Sequence, residues 1–572
     1  MKHLHSVPFF LLVYFLLYTH LTSAHPFIPN HLTDQTDSLW YKKAIIYSVD
    51  VEVFKDSDND GTGDFKGLSS KLEYLERLGI TTIWLAPFQP SPNKDDGYDV
   101  SDYYSIDPRL GTQADFKAFV EKATRHHMHV IMDLVVNHTS DQHPWFQEAR
   151  RDPSSAYRSW YVWSEKKPSN MHTGMVFPGV QQSIWTYDTL AHAYYYHRFY
   201  DFQPDLNMQN PAVQNEVKKV IAHWIKQGVS GFRLDGVPFF IEVPSTKGDY
   251  FERQYSLLND MCAYVKTLRK DAIVLGEANV PPRENKDYFG EQGEGMDMMF
   301  NFYVNQQVFY SLASGQIKDL EKALEETHTI PVNAQWGEFL RNHDEVDLGR
   351  LSKHKRKFVF ETFGPDKNMQ LYDRGIRRRL APMLANRAHL ELAYSLMLSL
   401  PGTPVLRYGD EIGMGDDLEL KERMSVRTPM QWSSDINGGF SKADSCVRPV
   451  IDHGVYGYQI VQVENEQEDS TSLLVWTERM LRLRKQCPEI GTGDWEILAS
   501  DSPHVLIMRY WKNEHSVIVI HNFSDAPQEI QFYIDTHTSS VRLTEIGDHA
   551  KIENGICSVT IHGYGYQWYR LK

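Results

Sequence analysis

The chain has 572 residues, of which 41% are hydrophobic and 23% charged, the balance of a folded globular protein long enough for more than one domain. Its formal net charge of −16 argues against a nucleic-acid partner, because binding phosphate backbones needs a basic face. Aromatic residues reach 13%, a high share that suits a large core and also the flat platforms of sugar-binding clefts.

At the N-terminus, Lys2 and His3 precede the apolar run Phe9 to Tyr18, and Thr22 and Ala24 supply the small residues of a cleavage site. Residues 1–24 therefore read as a secretory signal peptide. The run is short for a membrane span, and no later stretch is long and apolar enough to cross a bilayer. The expectation is a secreted or periplasmic protein with no membrane contact after cleavage. Export permits disulfides, but Cys262, Cys446, Cys487 and Cys557 allow three pairings between which the sequence does not choose. Their wide spacing resembles no zinc motif.

From about residue 40 to 410, strand-like runs alternate with amphipathic stretches. "AIIYSVDVEVF" (44–54) is the first strand. "LSSKLEYLERLG" (68–79) is a helix with Leu68, Leu72, Leu75 and Leu78 on one face and Gly79 beyond its end. A strand "TTIWLAP" (81–87), a helix (113–127) and the strand "HVIMDLVV" (129–136) follow. After a helix at 211–228 come strands at 231–235, 272–277, 336–342 and 402–409. Repeated βα units imply parallel strands with right-handed crossovers, and their number suits a (β/α)8 TIM barrel better than an open sheet. No Gly-rich dinucleotide fingerprint follows the first strand, and no organic cofactor is expected.

Residues 139–203 interrupt the alternation and are rich in Trp, Tyr, His and Pro. An insertion after the third strand sits at the C-terminal rim, where barrel active sites lie. The barrel is thus read in two parts, 25–138 and 204–489, around a rim subdomain. From 490 to 572 the pattern becomes alternating strands with polar turns, a C-terminal antiparallel β-sandwich domain. Oligomeric state is left open.

Four of these strands end in ionisable residues: Asn137 and His138, Arg233 and Asp235, Glu277, and His343 and Asp344. In a barrel such ends converge on one mouth. Three carboxylates in one pocket suit glycosidic-bond chemistry, with one ionised as nucleophile and one protonated as acid. Arg233, beside Asp235, is expected to hold that carboxyl low as the nucleophile. Glu277 has no cation near it in sequence, which makes it the general acid and base. Asp344 is left to bind sugar hydroxyls and stabilise positive charge on the ring.

In this order, "DLVVNH", "GFRLDGV", "GEAN" and "RNHD" resemble the signature regions of the α-amylase superfamily of retaining glycosidases, and "QPDLNMQNP" resembles a further region. The resemblance runs from about Trp40 into the C-terminal domain. It implies Asp235 as nucleophile, Glu277 as acid/base and Asp344 as third carboxylate, with Asp235 and Glu277 at the separation of about 5 Å that goes with retention. By the same resemblance Arg233, His138 and His343 line the sugar site, Asp95 and Tyr98 of "DDGYD" contact the non-reducing glucose, and Arg427 of "VRTPMQW" closes that subsite.

Alternating carboxylates around a turn in "DSDNDGTGD" (Asp56, Asp58, Asp60, Asp64) suit calcium. Gly67 stands where an EF-hand would place its closing Glu, so the loop is not one. The resemblance adds the Thr62 carbonyl. It also implies a second calcium site from Asn137, Asp205, Glu242 and the carbonyls of Phe239 and Phe240.

Within the superfamily, "NHTSDQHPWFQEAR", "FLRNHDEVD", "IRRRLAPMLAN" and "RTPMQWSSDINGGFS" are similar to the trehalose synthase branch, which implies maltose and trehalose as substrates. The sequence departs from that pattern at Gly236, where alanine is usual, and in "YSVDVEVF". A hydrolase of the α-glucosidase or α-amylase type stays open beside the isomerase. So does a non-catalytic, membrane-anchored ectodomain, although such proteins commonly lack the three carboxylates that stand here.

Overall fold

The structure, a computed structural model, describes residues 38–243, 252–534, 540–544 and 550–571. Eight parallel strands close into a barrel: β1 (Ile46–Val49), β2 (Thr82–Leu85), β3 (His129–Leu134), β4 (Gly231–Leu234), β5 (Ile273–Gly276), β6 (Met298–Phe300), β7 (Gln335–Phe339) and β8 (Thr403–Arg407). Each pairs with the next in sequence, and β8 returns to β1 with Val405 opposite Ile46. β6 has no counterpart among the expected strands. It is three residues long, "MMF", and contains no β-branched residue, so neither alternation nor composition marks it.

The strands bury both faces. Ile46, Trp84, Ile131, Ile273, Leu275, Met298, Phe300 and Val405 form one cluster. Ile45, Tyr47, Ile83, Leu85, Phe232 and Leu234 belong to a second, larger one shared with the helices. This two-sided burial is why the runs read as continuously apolar. On β4 the alternation separates Phe232 and Leu234, in that larger cluster, from Arg233, whose guanidinium lies 5.4 Å from the Trp84 ring.

The first helical stretch is two helices, Phe65–Ser70 and Leu72–Leu78, rather than one. Leu68, Leu72, Leu75 and Leu78 are all fully buried, each contributing about 1.5–3 kcal/mol on burial. The chain leaves the second helix at Gly79 with φ +107°, which a side chain would oppose. The next helix, Gln113–Arg125, starts in a capping box: the Asp115 N–H donates to Thr112 Oγ1 and the Thr112 N–H to Asp115 Oδ2.

Between β3 and β4 the chain carries the helix Pro144–Arg151 and a three-stranded antiparallel sheet of Trp163–Ser164, Ala193–Tyr196 and Trp185–Asp188. At the C-terminal end, a five-stranded and a three-stranded antiparallel sheet share a cluster that includes Val505, Ile507, Ile518, Ile520, Ile530, Phe532 and Ile561. No described helix is long and apolar enough to cross a membrane. All four cysteines are free thiols, so none of the possible pairings forms. The signal-peptide segment lies outside the described residues.

Candidate active site

Asp95, Tyr98, His138, Asp235, Glu277, His343 and Asp344 line one cavity of about 240 Å³. Arg233 and Arg427 do not line it. Both are fully buried behind the carboxylates they hold.

Arg233 explains why an arginine and an aspartate share a face at the end of β4. Its Nη1 donates to Asp235 Oδ1 at 2.7 Å and to Asp133 Oδ1 at 2.9 Å, while Nη2 lies 3.0 Å from Glu277 Oε2. One guanidinium thus faces both expected catalytic carboxylates and brings them side by side. Glu277, with no cation beside it in sequence, thus has one in space, because β5 lies next to β4 and Gly276 pairs with Leu234. The Gly236 N–H also donates to Glu277 Oε2, at 3.0 Å. Gly236 is left-handed at φ +51°, and a Cβ there would stand 3.2 Å from the Phe199 and Phe239 rings. Glycine is what this turn accepts most readily.

Burial pushes the Asp235 carboxyl up to about 6 despite Arg233. The expected depression is overturned, since losing hydration outweighs the ion pair. Burial pushes Glu277 further, to about 7, with Asp235 and Asp344 adding to it and Arg233 opposing. Of the two, Glu277 thus holds its proton more tightly. Burial also acts upward on Asp344, but the arginines Arg423, Arg427 and Arg233 more than offset it and hold the carboxyl well below its usual range.

One end of the cavity is built on Tyr98 and His343, whose rings stack at 5.2 Å. The Tyr98 hydroxyl donates to Asp133 Oδ2 at 2.8 Å and lies 2.7 Å from His343 Nε2, which fixes the proton of that ring on Nε2. Burial keeps His343 well below its ordinary pKa and lowers His138 to about 4, so both are neutral. Both nitrogens of His138 already meet protein groups, Nε2 the Tyr98 carbonyl at 3.1 Å and Nδ1 the Asn137 amide at 3.3 Å.

Three residues of this end escaped the sequence reading. Arg423 joins Asp95 Oδ1 at 2.6 Å to Asp344 Oδ1 at 2.7 Å, at the subsite that Arg427 is expected to close. Arg427 instead spans Asp96 Oδ2 at 2.7 Å and Asp344 Oδ1 at 3.0 Å. Gln203 donates to Asp95 Oδ2 at 2.9 Å. Arg423 stands four residues before Arg427 in "RMSVR", with nothing to distinguish it from a surface charge. Asp133 carried a signal, a carboxylate inside an otherwise apolar strand.

The insertion forms part of the cavity wall through Val176, Phe177, Arg198, Phe199 and Gln203. Phe177 packs on Tyr200 and Tyr372 at 4.6 and 4.7 Å, and both tyrosine hydroxyls donate to Glu422 Oε2 at 2.6 Å. The rim subdomain is thereby tied to the loop after β8.

In the acidic loop, carboxylate oxygens of Asp56, Asp58 and Asp64 lie within 4.8 Å of one another, a donor set that fits a hard cation. Asp60 is not in that group and accepts from the Thr62 N–H at 2.7 Å. At the second set, Asn137 hydrogen-bonds Asp205, which also accepts from the Arg198 N–H at 2.9 Å. Glu242 Oε2 is buried and accepts no hydrogen bond, which suits a cation, and Arg198 Nη2 lies 3.3 Å from it. Phe239 and Phe240 fall in the turn Val237–Phe240, where the Phe239 carbonyl accepts from the Ile241 N–H.

The chain matches the catalytic domain of the α-amylases over residues 48–363 and 375–493. It belongs to the α-amylase family. Residues 515–570 match the C-terminal domain of sucrose hydrolase-like proteins. The chain is 40% identical to the trehalose synthase/amylase TreS of Mycobacterium tuberculosis over 546 residues, 94% of this chain and 91% of that protein. It is likewise 40% identical to the trehalose synthase of a Pimelobacter species over 549 residues, 93% of this chain and 96% of that one. Among solved structures, the α-amylase from H. orenii superposes with a TM-score of 0.76 at 28% identity, covering 93% of this chain and all of that one.

Proposed function

We propose that this enzyme is a retaining α-glucosyl transferase that interconverts maltose and trehalose by moving glucose within the active site. The observation that carries the reading is the carboxylate pair on one guanidinium, with Glu277 the more basic member. The choice of sugars rests on the relatives named as trehalose synthases.

Asp235 attacks the anomeric carbon while Glu277 gives its proton to the leaving oxygen, producing a covalent β-glucosyl ester and free glucose. Glu277, now ionised, takes a proton from the incoming hydroxyl, which displaces Asp235 and restores the α-anomer. Asp344, held ionised by its arginines, stabilises the positive charge that builds on the sugar ring. Tyr98 supplies a flat face for the ring. Intramolecular transfer requires that the freed glucose stay and turn, and the aromatic wall from the insertion supports this by limiting water.

Hydrolysis of short α-glucosides is the second reading, favoured by the secretory pattern of residues 1–24. That pattern also supports a secreted or periplasmic location. A calcium ion is proposed in the acidic loop on Asp56, Asp58 and Asp64, with Asp60 and Thr62 as further candidates, in a structural role. A second is proposed at Asn137, Asp205, Glu242 and the carbonyls of Phe239 and Phe240, where the ion would replace Arg198 beside Glu242. Incubation with maltose, followed by NMR of the first-formed products, tests the reading. Trehalose is expected to appear. Glucose alone would make the enzyme a hydrolase, and a β-anomer formed first would refute retention.

A further inference from the structure

The segment after β1 carries two carboxylates that the proposed reaction does not use, Asp50 and Glu52. Both are buried. Asp50 meets Arg407 at the end of β8, with Nη1 at 2.8 Å. Glu52 Oε1 meets Arg448 Nη2, and that same nitrogen holds Asp96 Oδ1. From Arg448 the connection runs to the reacting groups. Its Nη1 donates to the Arg427 carbonyl at 2.7 Å. Arg427 then binds Asp96 through Nη1 at 2.7 Å and Asp344 through Nη2 at 3.0 Å.

We propose that Glu52 is a positioning residue for Asp344, acting through Arg448, Asp96 and Arg427. Arg448 is buried and lies between Glu52 and Asp96. Removing the Glu52 side chain leaves Arg448 Nη2 with Asp96 as its one side-chain acceptor, and a buried guanidinium that has lost a hydrogen-bond partner draws the remaining one toward it. Asp96 is one of the two carboxylates that fix the Arg427 guanidinium, and Arg448 also holds the Arg427 backbone. A shift of Asp96 therefore moves the nitrogen that seats Asp344. Arg109 stands 3.6 Å from Glu52 Oε2 and pairs with Asp107, so it lies outside this relay. Burial and the neighbouring Asp96 push the Glu52 carboxyl up to about 7 against Arg448, so the position tolerates a neutral hydrogen-bonding group.

This inference rests on the reading of Asp344 as the third catalytic carboxylate, and a double-mutant cycle separates the two. Asp344→Asn, Glu52→Ala, their combination and Glu52→Gln are assayed with 4-nitrophenyl α-glucoside and maltose, with active sites counted by burst titration. Glu52→Ala is expected to lower kcat per active site by on the order of tenfold to a hundredfold, the usual cost of a misplaced catalytic group, with KM little changed. In the Asp344→Asn background the same change is expected to cost almost nothing further. Glu52→Gln is expected to recover most of the activity. A role in folding alone would lower the count of active sites and leave kcat per site untouched, which would overturn the proposal. So would a loss that adds in full to that of Asp344→Asn, or a glutamine variant as impaired as the alanine. Wild-type activity in Asp344→Asn would instead defeat the reading of Asp344 itself.

Discussion

The protonation states of Asp235 and Glu277 give the reaction a definite pH dependence. In the proposed mechanism the active form has Asp235 ionised and Glu277 protonated. With the pair titrating near 6 and 7, that form peaks at a fraction of about 0.6 near about pH 6.5. It falls to about 0.03 at about pH 4.5 and again at about pH 8.5, a loss of about twentyfold on each side. A bell-shaped profile of kcat/KM is therefore expected, its acid limb from Asp235 and its alkaline limb from Glu277. Glu277→Gln separates the limbs. On an activated aryl α-glucoside, whose leaving group needs little protonation, the variant is expected to keep the acid limb and lose the alkaline one. On maltose it is expected to be slower by about 10²–10⁴-fold. Steady-state assays with both substrates across about pH 4–9 decide this. An alkaline limb that survives in Glu277→Gln, or equal losses on both substrates, would remove Glu277 as the acid.

Asp235→Ala is expected to lose several orders of magnitude in turnover on every α-glucoside, because covalent and electrostatic stabilisation go together; near-native kcat would exclude it as the nucleophile. Chelation is expected to lower the melting temperature by mass action, and Asp58→Asn to blunt that response; a purified protein free of metal and indifferent to chelator would refute the acidic-loop site. Glu338, fully buried on β7 with one hydrogen bond from Asn301 at 2.9 Å, is pushed up to about 8 by burial. A carboxyl raised in the folded state contributes most below its unfolded value of about 4.5, and that contribution is lost as pH rises toward 8. Glu338→Gln is accordingly expected to stabilise the protein at pH 7 by about 3 kcal/mol, read as roughly 3 °C in Tm, with no difference near pH 4. A pH-independent difference would contradict it.

Seven of the eight barrel strands were legible from short, mostly apolar runs that recur between amphipathic stretches, as with Phe232 and Leu234 before Asp235 and Gly236. The exception, Met298–Phe300, is too short to show a period. The helix expected at 68–79 divides at Lys71, although its leucines keep the expected buried face. Hydrophobic spacing reports which side is buried, while a one-residue break in the backbone leaves that spacing intact.

Residues at strand ends were legible for a topological reason: the barrel brings Asp235, Glu277 and Asp344 to one mouth whatever their spacing in the chain. Groups held by loops had no such rule. Arg423 reaches Asp95 across more than half of the sequence, and only the folded chain brings them to 2.6 Å. Charge balance was equally hidden. In sequence Arg233 belongs to Asp235, but in space it belongs to Glu277 as well, so it lowers both carboxyls and cannot by itself divide their roles. Asp235 takes the shorter Arg233 contact at 2.7 Å, while Glu277 has Nη2 at 3.0 Å and one backbone N–H, from Gly236. Burial raises both carboxyls, and two anions push up each, Asp235 and Asp344 on Glu277 and Asp133 and Asp344 on Asp235. Glu277 starts from the higher ordinary value, 4.5 against 3.8, and burial carries both upward, so the proposed acid owes its proton to its carboxyl type and its burial rather than to the absence of a cation.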